Sequence, residues 1–176
     1  MPTLTDGVVA LRPPERGDVD AITVGCQDPS VSRYTSIPSP YERAHAEAFV
    51  RDSVRHWRDG VAANFVVTDA DTGVLLGGCG VIRLDEAGGA TEIGYWLTVE
   101  ARGRGVMTRT VELVADWVLH DLGRARLELQ ADVRNTASQR VAERAGFVRE
   151  GEVPPPARLG ERSETMVLFA RTADRV

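Results

Sequence analysis

The chain has 176 residues, of which 43% are hydrophobic and 27% charged, and carries a net charge of −5. That length suits one domain with a proper core and is short for two, and the acidic balance argues against a nucleic-acid surface, so any bound anion must be gripped locally. The opening stretch MPTLTDGVVALRPP lacks a basic region leading into an apolar core, and no apolar run approaches a membrane span, so the sequence reads as cytoplasmic with no membrane partner.

In chain order, Val8 to Leu11 form a short strand ended by Pro13 and Pro14, and Asp18 caps a modest helix to about Gly25. Ser32 to Pro40, punctuated by Pro38 and Pro40, reads as a loop. Its Tyr34 and Ile37 either line a pocket or cover the edge of a core. A longer helix from about Glu42 to Asp59 presents Ala46, Phe49, Val50, Val54 and Trp57 on one face. Three strands follow, Ala62 to Thr68, Val74 to Arg83 and Ala90 to Thr98, joined by turn residues at Asp71-Thr72-Gly73 and Glu86-Ala87-Gly88-Gly89, and so antiparallel.

The third of these strands ends in the basic turn Arg102-Gly103-Arg104-Gly105, after which Met107, Val111, Val114 and Val118 recur at helical spacing. A helix N-terminus has backbone N–H groups without intrahelical partners, and two glycines let an anion approach them. A plain strand-to-helix connector with solvated arginines fits the turn equally well. Arg126 to Ala131 is another strand; the helix between makes it parallel to its predecessor. Asn135 to Ala145 is a helix closed by Gly146, Phe147 to about Val153 a strand, Pro154 to Gly160 a stiff loop, and Glu164 to Ala170 the closing strand. The fold class is α+β, a mixed and mostly antiparallel sheet with one parallel junction.

Cys26 and Cys79 sit in apolar contexts without ligand spacing and read as buried thiols. His45, His56 and His120 are scattered, so no metal is expected. Trp57 and Trp117 read as core.

Taken together and in order, Gly7 to Arg12 with Asp18, the Arg33-Tyr34 loop, Glu92 to Leu97, Arg102 to Gly105, and Asn135 to Ser138 leading to Ala145-Gly146-Phe147 resemble the GCN5-related N-acetyltransferase (GNAT) superfamily. Within it they resemble the RimJ and RimL branch of ribosomal-protein N-terminal acetyltransferases. The resemblance implies one N-acetyltransferase domain over residues 1–176, with a twisted sheet of about seven strands, four to five helices and a splayed parallel pair at the cofactor site. It implies acetyl-CoA as cofactor, its diphosphate held by the main chain of Arg102, Gly103, Arg104, Gly105, Val106, Met107 and Thr108, its pantetheine alongside Leu97, Thr98 and Val99. Met107 departs from the superfamily signature, which has glycine or alanine there. The resemblance also implies a homodimer through the closing strands and the Pro154 to Gly160 loop.

Many relatives protonate the departing thiolate with a tyrosine where this chain has Ala142. By resemblance Ser138 hydrogen-bonds the CoA sulfur and Asn135 holds the pantetheine; as residues, they also make a good N-cap and N3 pair. Glu92 is the general-base candidate, against an exposed carboxylate on a solvent face or a water chain. It shares a strand face with Trp96, which with Tyr34 would bind the acceptor, although burial under a helix explains Trp96 as well. Arg140 and Arg144 reach the phosphates or are solvated. The activity implied is direct acetyl transfer to a primary amine, a protein N-terminus or a small molecule. The rival is a catalytically silent acyl-CoA sensor, favoured by Ala142. A nucleotide-binding loop is excluded, since the turn lacks both the Gly-Lys-Ser/Thr and the third glycine.

Overall fold

A computed structural model of the chain describes residues 1–84, 91–157, 159 and 165–173. The expected turn at Glu86-Ala87-Gly88-Gly89, the strand starts at Ala90 and Glu164, and Gly160 of the stiff loop lie outside the described residues.

Among the described residues eight strands form one open sheet in the order β1-β2-β3-β4-β5-β6-β8-β7. β1 is Leu4–Thr5, β2 Val9–Arg12, β3 Ala62–Asp69, β4 Leu75–Ile82, β5 Thr91–Leu97, β6 Arg126–Asp132, β7 Val148–Val153 and β8 Met166–Thr172. Every neighbouring pair is antiparallel except β5 and β6, the junction expected to be parallel. The helices are α1 Val19–Cys26, α2 Pro29–Tyr34, α3 Arg43–Arg58, α4 Val106–Asp116 and α5 Thr136–Arg144. A π-helical turn, Trp117–Asp121, extends α4.

Alternation along the strands makes two cores. On one face Leu11, Phe65, Val81, Ile93, Leu127, Leu129 and Phe169 pack with Val111, Val114 and Val118 of the α4 segment. Trp117 is buried there, edge-on to Phe65 and stacked near Trp57. On the other, Val66 and Trp96 meet Ile22 and Cys26 of α1 and Ala46 and Val50 of α3. Both cysteines are buried free thiols.

Four expectations change. Residues 32–34 belong to α2, because Pro29 stands at a helix start and the Asp28 carboxylate accepts from Ser30 N, so the loop begins at Thr35 rather than Ser32. Asp18 does not cap α1; its carboxylate takes a bidentate pair from Arg12, at 2.8 Å each, and the Glu15 amide. Val54 is 66% exposed, outside the packed face of α3. β1 is an eighth strand, too short at two residues to show a periodicity.

Candidate active site

The parallel ladder between β5 and β6 lasts three pairs, Thr91 with Leu127, Glu92 with Glu128 and Ile93 with Leu129. Beyond Ile93, β5 keeps only β4 as partner, as far as Leu97 opposite Gly77, while β6 keeps only β8, as far as Asp132 opposite Met166. The two strands therefore part, and a cleft of about 750 Å³ opens between them. It runs from the α4 N-terminus, past the vertex, to a wall made by α1, α2 and the segment after α2.

At the α4 end, Gly103 and Gly105 have φ of +72° and +76°, which lets the chain reverse into the helix. The first helical bond runs from Arg109 N to Gly105 O, at 3.2 Å. Ahead of it the amides of residues 103–108 have no acceptor among the described residues. A Cβ added at Gly103 or Gly105 would meet nothing within 4 Å, so the approach to these donors is open. Met107, which departs from the signature, is 3% exposed and turned into the core. Arg102 is committed to the fold, donating to Leu97 O at 3.1 Å and pairing with Asp28 at 3.4 Å. Arg140 and Arg144 line the cleft, with no ion-pair partner among the described residues.

Three expected cofactor residues fall outside the cleft lining. Thr98 donates its N–H to Leu76 O, Val99 opens a 3-10 turn and faces solvent, and Arg104 is exposed and not part of the cleft wall. Leu97 lines it.

Asn135 Oδ1 accepts from Ser138 N at 3.1 Å, the cap that residue types alone would give. Both residues also line the cleft. The Ser138 hydroxyl lies 2.8 Å from the Tyr95 hydroxyl, which crosses the gap from β5 to α5. Burial pushes the Tyr95 phenol well above its ordinary range, and the Ser138 hydrogen bond offsets this only in part. The phenol is thus neutral and a proton donor throughout the physiological range. Tyr95 was not anticipated from sequence. It sits on the apolar side of an alternating strand, so it reads as core, and nothing local announces a helix 43 residues later.

On the opposite face Glu92 is 4% exposed, which removes the solvent-face alternative. Its carboxylate is held by Arg83 at 2.8 Å, and Arg83 lies 4.0 Å from Glu128. Arg83 has φ +62°, a left-handed conformation unfavourable for a residue with a Cβ. Trp96 and Tyr34 both line the cleft, as do Ile22, Ile37 and Phe49. The Trp96 indole lies against glycine on two sides: a Cβ on Gly25 or Gly78 would come 2.5 or 2.6 Å from its ring atoms. Glu92 is the single carboxylate in the cleft lining among the described residues. Those residues contain no cluster able to hold a metal, and no helix long and apolar enough to cross a membrane.

A family model described as an acetyltransferase (GNAT) domain matches residues 9–148. The chain is 27% identical over 151 residues to an uncharacterized N-acetyltransferase, p20, of Bacillus licheniformis, covering 86% of this chain and 85% of that one. It is 26% identical over 125 residues to the ribosomal-protein-serine acetyltransferase of Escherichia coli, covering 71% and 69%. The structure of Mycobacterium smegmatis RimJ in complex with a CoA disulfide superposes with a TM-score of 0.85 at 20% identity, over 98% of this chain and 87% of that one, a likeness of fold. The parted strands and the free amides at the helix start lie inside the matched span, and the chain belongs to the GNAT acetyltransferase family as an acetyl-CoA-dependent N-acetyltransferase.

Proposed function

We propose that the protein transfers the acetyl group of acetyl-CoA directly to a primary amine, with a protein N-terminus as the favoured acceptor. The observation that carries this reading is the row of unpaired amides at residues 103–108, which leads along one continuous cleft to the vertex where β5 and β6 part. Such amides, at the positive end of a helix dipole, suit the diphosphate of CoA, and Arg140 and Arg144 suit its outer charge. The unpaired edge of β5 suits the pantetheine arm, which would lie along it as an added strand.

In the reaction the amine nitrogen attacks the thioester carbonyl carbon, the C–N bond forms, the C–S bond breaks, and the electron pair leaves on sulfur. Free main-chain N–H groups on the parted β5 edge stabilise the oxyanion formed on attack. Ser138 donates to the departing sulfur while accepting from Tyr95, a chain of two hydroxyls that supplies the polarity Ala142 lacks. The bound ammonium gives its first proton to solvent water before attack, and the second, released as the C–N bond forms, passes to Glu92. Arg83, 2.8 Å away, holds the carboxylate in place while the nitrogen becomes acidic as the C–N bond forms. With Glu92 the single carboxylate in the cleft lining among the described residues, a polyamine or aminoglycoside, whose several charges need several partners, is disfavoured against a monocation. The name of the E. coli relative, which acts on a ribosomal-protein serine, points the same way.

The test is thiol release from acetyl-CoA with a panel of amines: peptides beginning with serine, alanine or methionine, n-butylamine, spermidine and kanamycin. Turnover highest on a peptide supports the reading. Tight CoA binding with no turnover on any amine would mark a silent acyl-CoA sensor instead.

A further inference from the structure

We propose that Gln130 is an acceptor-binding residue, its side-chain carbonyl receiving an N–H of the amine at the vertex of the cleft. This rests on the acetyltransferase reading above.

The last β5–β6 pair is Ile93 with Leu129, so Gly94 and Gln130 are the residues at which the ladder first fails. Gly94 has no side chain, and a Cβ there would meet nothing within 4 Å, so the space across from Gln130 is open. Gln130 fills its own side: it lines the cleft, and its Oε1 is buried without a hydrogen-bond partner among the described residues. A buried carbonyl left unpaired costs about 1–3 kcal/mol, and buried polar atoms are paired in nearly every fold. An amide oxygen only accepts hydrogen bonds, so what it lacks is a donor. Strand alternation puts Gln130 on the side of Glu128, opposite the core residues Leu129 and Ala131. On β5 the same alternation groups Glu92, Gly94 and Trp96 away from Tyr95, whose hydroxyl meets Ser138. The unpaired carbonyl therefore belongs to the acceptor's half of the gap, beside Glu92.

The chemistry of the reaction specifies the donor. A primary ammonium loses one proton to become a nucleophile and a second as the amide forms, and one N–H remains throughout. A hydrogen bond to Gln130 thus survives from bound ammonium to product. A secondary amine loses its last N–H at the final step, and the carbonyl is orphaned again. Gln130 accordingly favours primary over N-methylated acceptors, and being uncharged it holds the amine without an ion pair that would have to break.

The experiment compares wild type with Gln130→Met, of similar length but without the acceptor, using whichever amine of the panel is turned over fastest and its N-methyl derivative. Expected are a roughly tenfold fall in kcat/KM for the primary amine, the value for one lost hydrogen bond, a smaller primary-over-secondary preference, and a KM for acetyl-CoA within twofold of wild type. The variant's melting temperature should be equal or higher, since an unsatisfied polar atom has been removed; a purely structural role predicts the reverse. An unchanged kcat/KM, an unchanged preference, a lowered melting temperature or a parallel rise in the KM for acetyl-CoA overturns the inference. An active wild type with an equally active variant refutes only this assignment, whereas a wild type inert on every amine refutes the acetyltransferase reading and this inference with it.

Discussion

Gly105 offers the sharpest test of where the cofactor's charge sits. Its φ of +76° and ψ of 0° are left-handed, and a Cβ there meets open space, so Gly105→Ala should cost only the backbone strain, about 1–2 kcal/mol of stability. CoA affinity should then change little. Gly105→Asn keeps a polar side chain that tolerates the left-handed region, and Gly105→Asp has nearly the same shape with a negative charge. Two unit charges about 4 Å apart interact by about 1 kcal/mol in water and about 4 kcal/mol at the effective dielectric of a protein surface. With phosphate over these amides, aspartate should therefore weaken CoA by roughly 5- to 1,000-fold relative to asparagine. The assay is calorimetric titration of CoA into the three variants, with urea unfolding of each to separate strain from binding. The gap between aspartate and asparagine should also narrow in high salt. Equal affinities for aspartate and asparagine would refute the argument, because they would mean that no negative group approaches the turn.

Ser138→Ala should lower kcat about tenfold with little change in the KM for acetyl-CoA, and Tyr95→Phe should act in the same direction but less, since Tyr95 only orients the serine hydroxyl; steady-state kinetics at saturating amine decides, and an unchanged kcat in Ser138→Ala removes the serine from the chemistry. The two thiols give a prediction for stability against pH. Burial pushes Cys26 up to about 12 and raises Cys79 as well, from an ordinary value of 9.0. A thiol that ionises more readily when unfolded contributes stability in full below about 9, which is lost as pH rises toward the folded value. Urea unfolding should show stability falling by about 1 kcal/mol per pH unit per thiol above pH 9, and a Cys79→Ala variant should show a shallower decline. A flat profile from pH 8 to 10.5 would count against burial of both thiols.

The parallel junction, both halves of the sheet and the glycine turn were legible because each has a local cause: alternation in Ile93, Tyr95 and Leu97, a 3.6-residue repeat from Met107 to Val118, and glycines where φ must be positive. The cap at Asn135 was legible for the same reason, since its partner Ser138 is three residues away. Contacts made at a distance were not. Tyr95 meeting Ser138 depends on how α5 leans over the gap, and Arg83 holding Glu92 depends on the β4–β5 register. Arg102 and Arg104 show the limit of reading charge from a motif. Two arginines in one basic turn are used differently, the first held on Leu97 O and Asp28, the second exposed and outside the cleft wall. The free donors there are main-chain amides, which every sequence possesses and only geometry exposes.

The opening of the sheet explains why the polar groups at the vertex matter. When β5 and β6 part after Ile93 and Leu129, each keeps one partner strand and turns an unpaired edge into the gap. Buried backbone donors and acceptors without partners are costly, and closing the ladder by three more pairs, to the end of β6 at Asp132, would be the ordinary outcome for parallel strands of these lengths. What prevents it is held from both sides. Trp96, lodged against Gly25 and Gly78, fixes β5 to α1 and β4, while Asp132, pinned by Arg134 at 2.8 Å and paired opposite Met166, fixes the end of β6 to β8. The Tyr95 to Ser138 bond then braces the gap with a side chain from each wall, at a width that main-chain pairing cannot span. An edge kept open at this cost has a use only if a ligand completes it. The gap carries the Tyr95 and Ser138 hydroxyls on the side of α5 and the unpaired Gln130 carbonyl on the side of Glu92, so on the proposed reading a thioester and an amine would meet at Gly94 without either displacing the other.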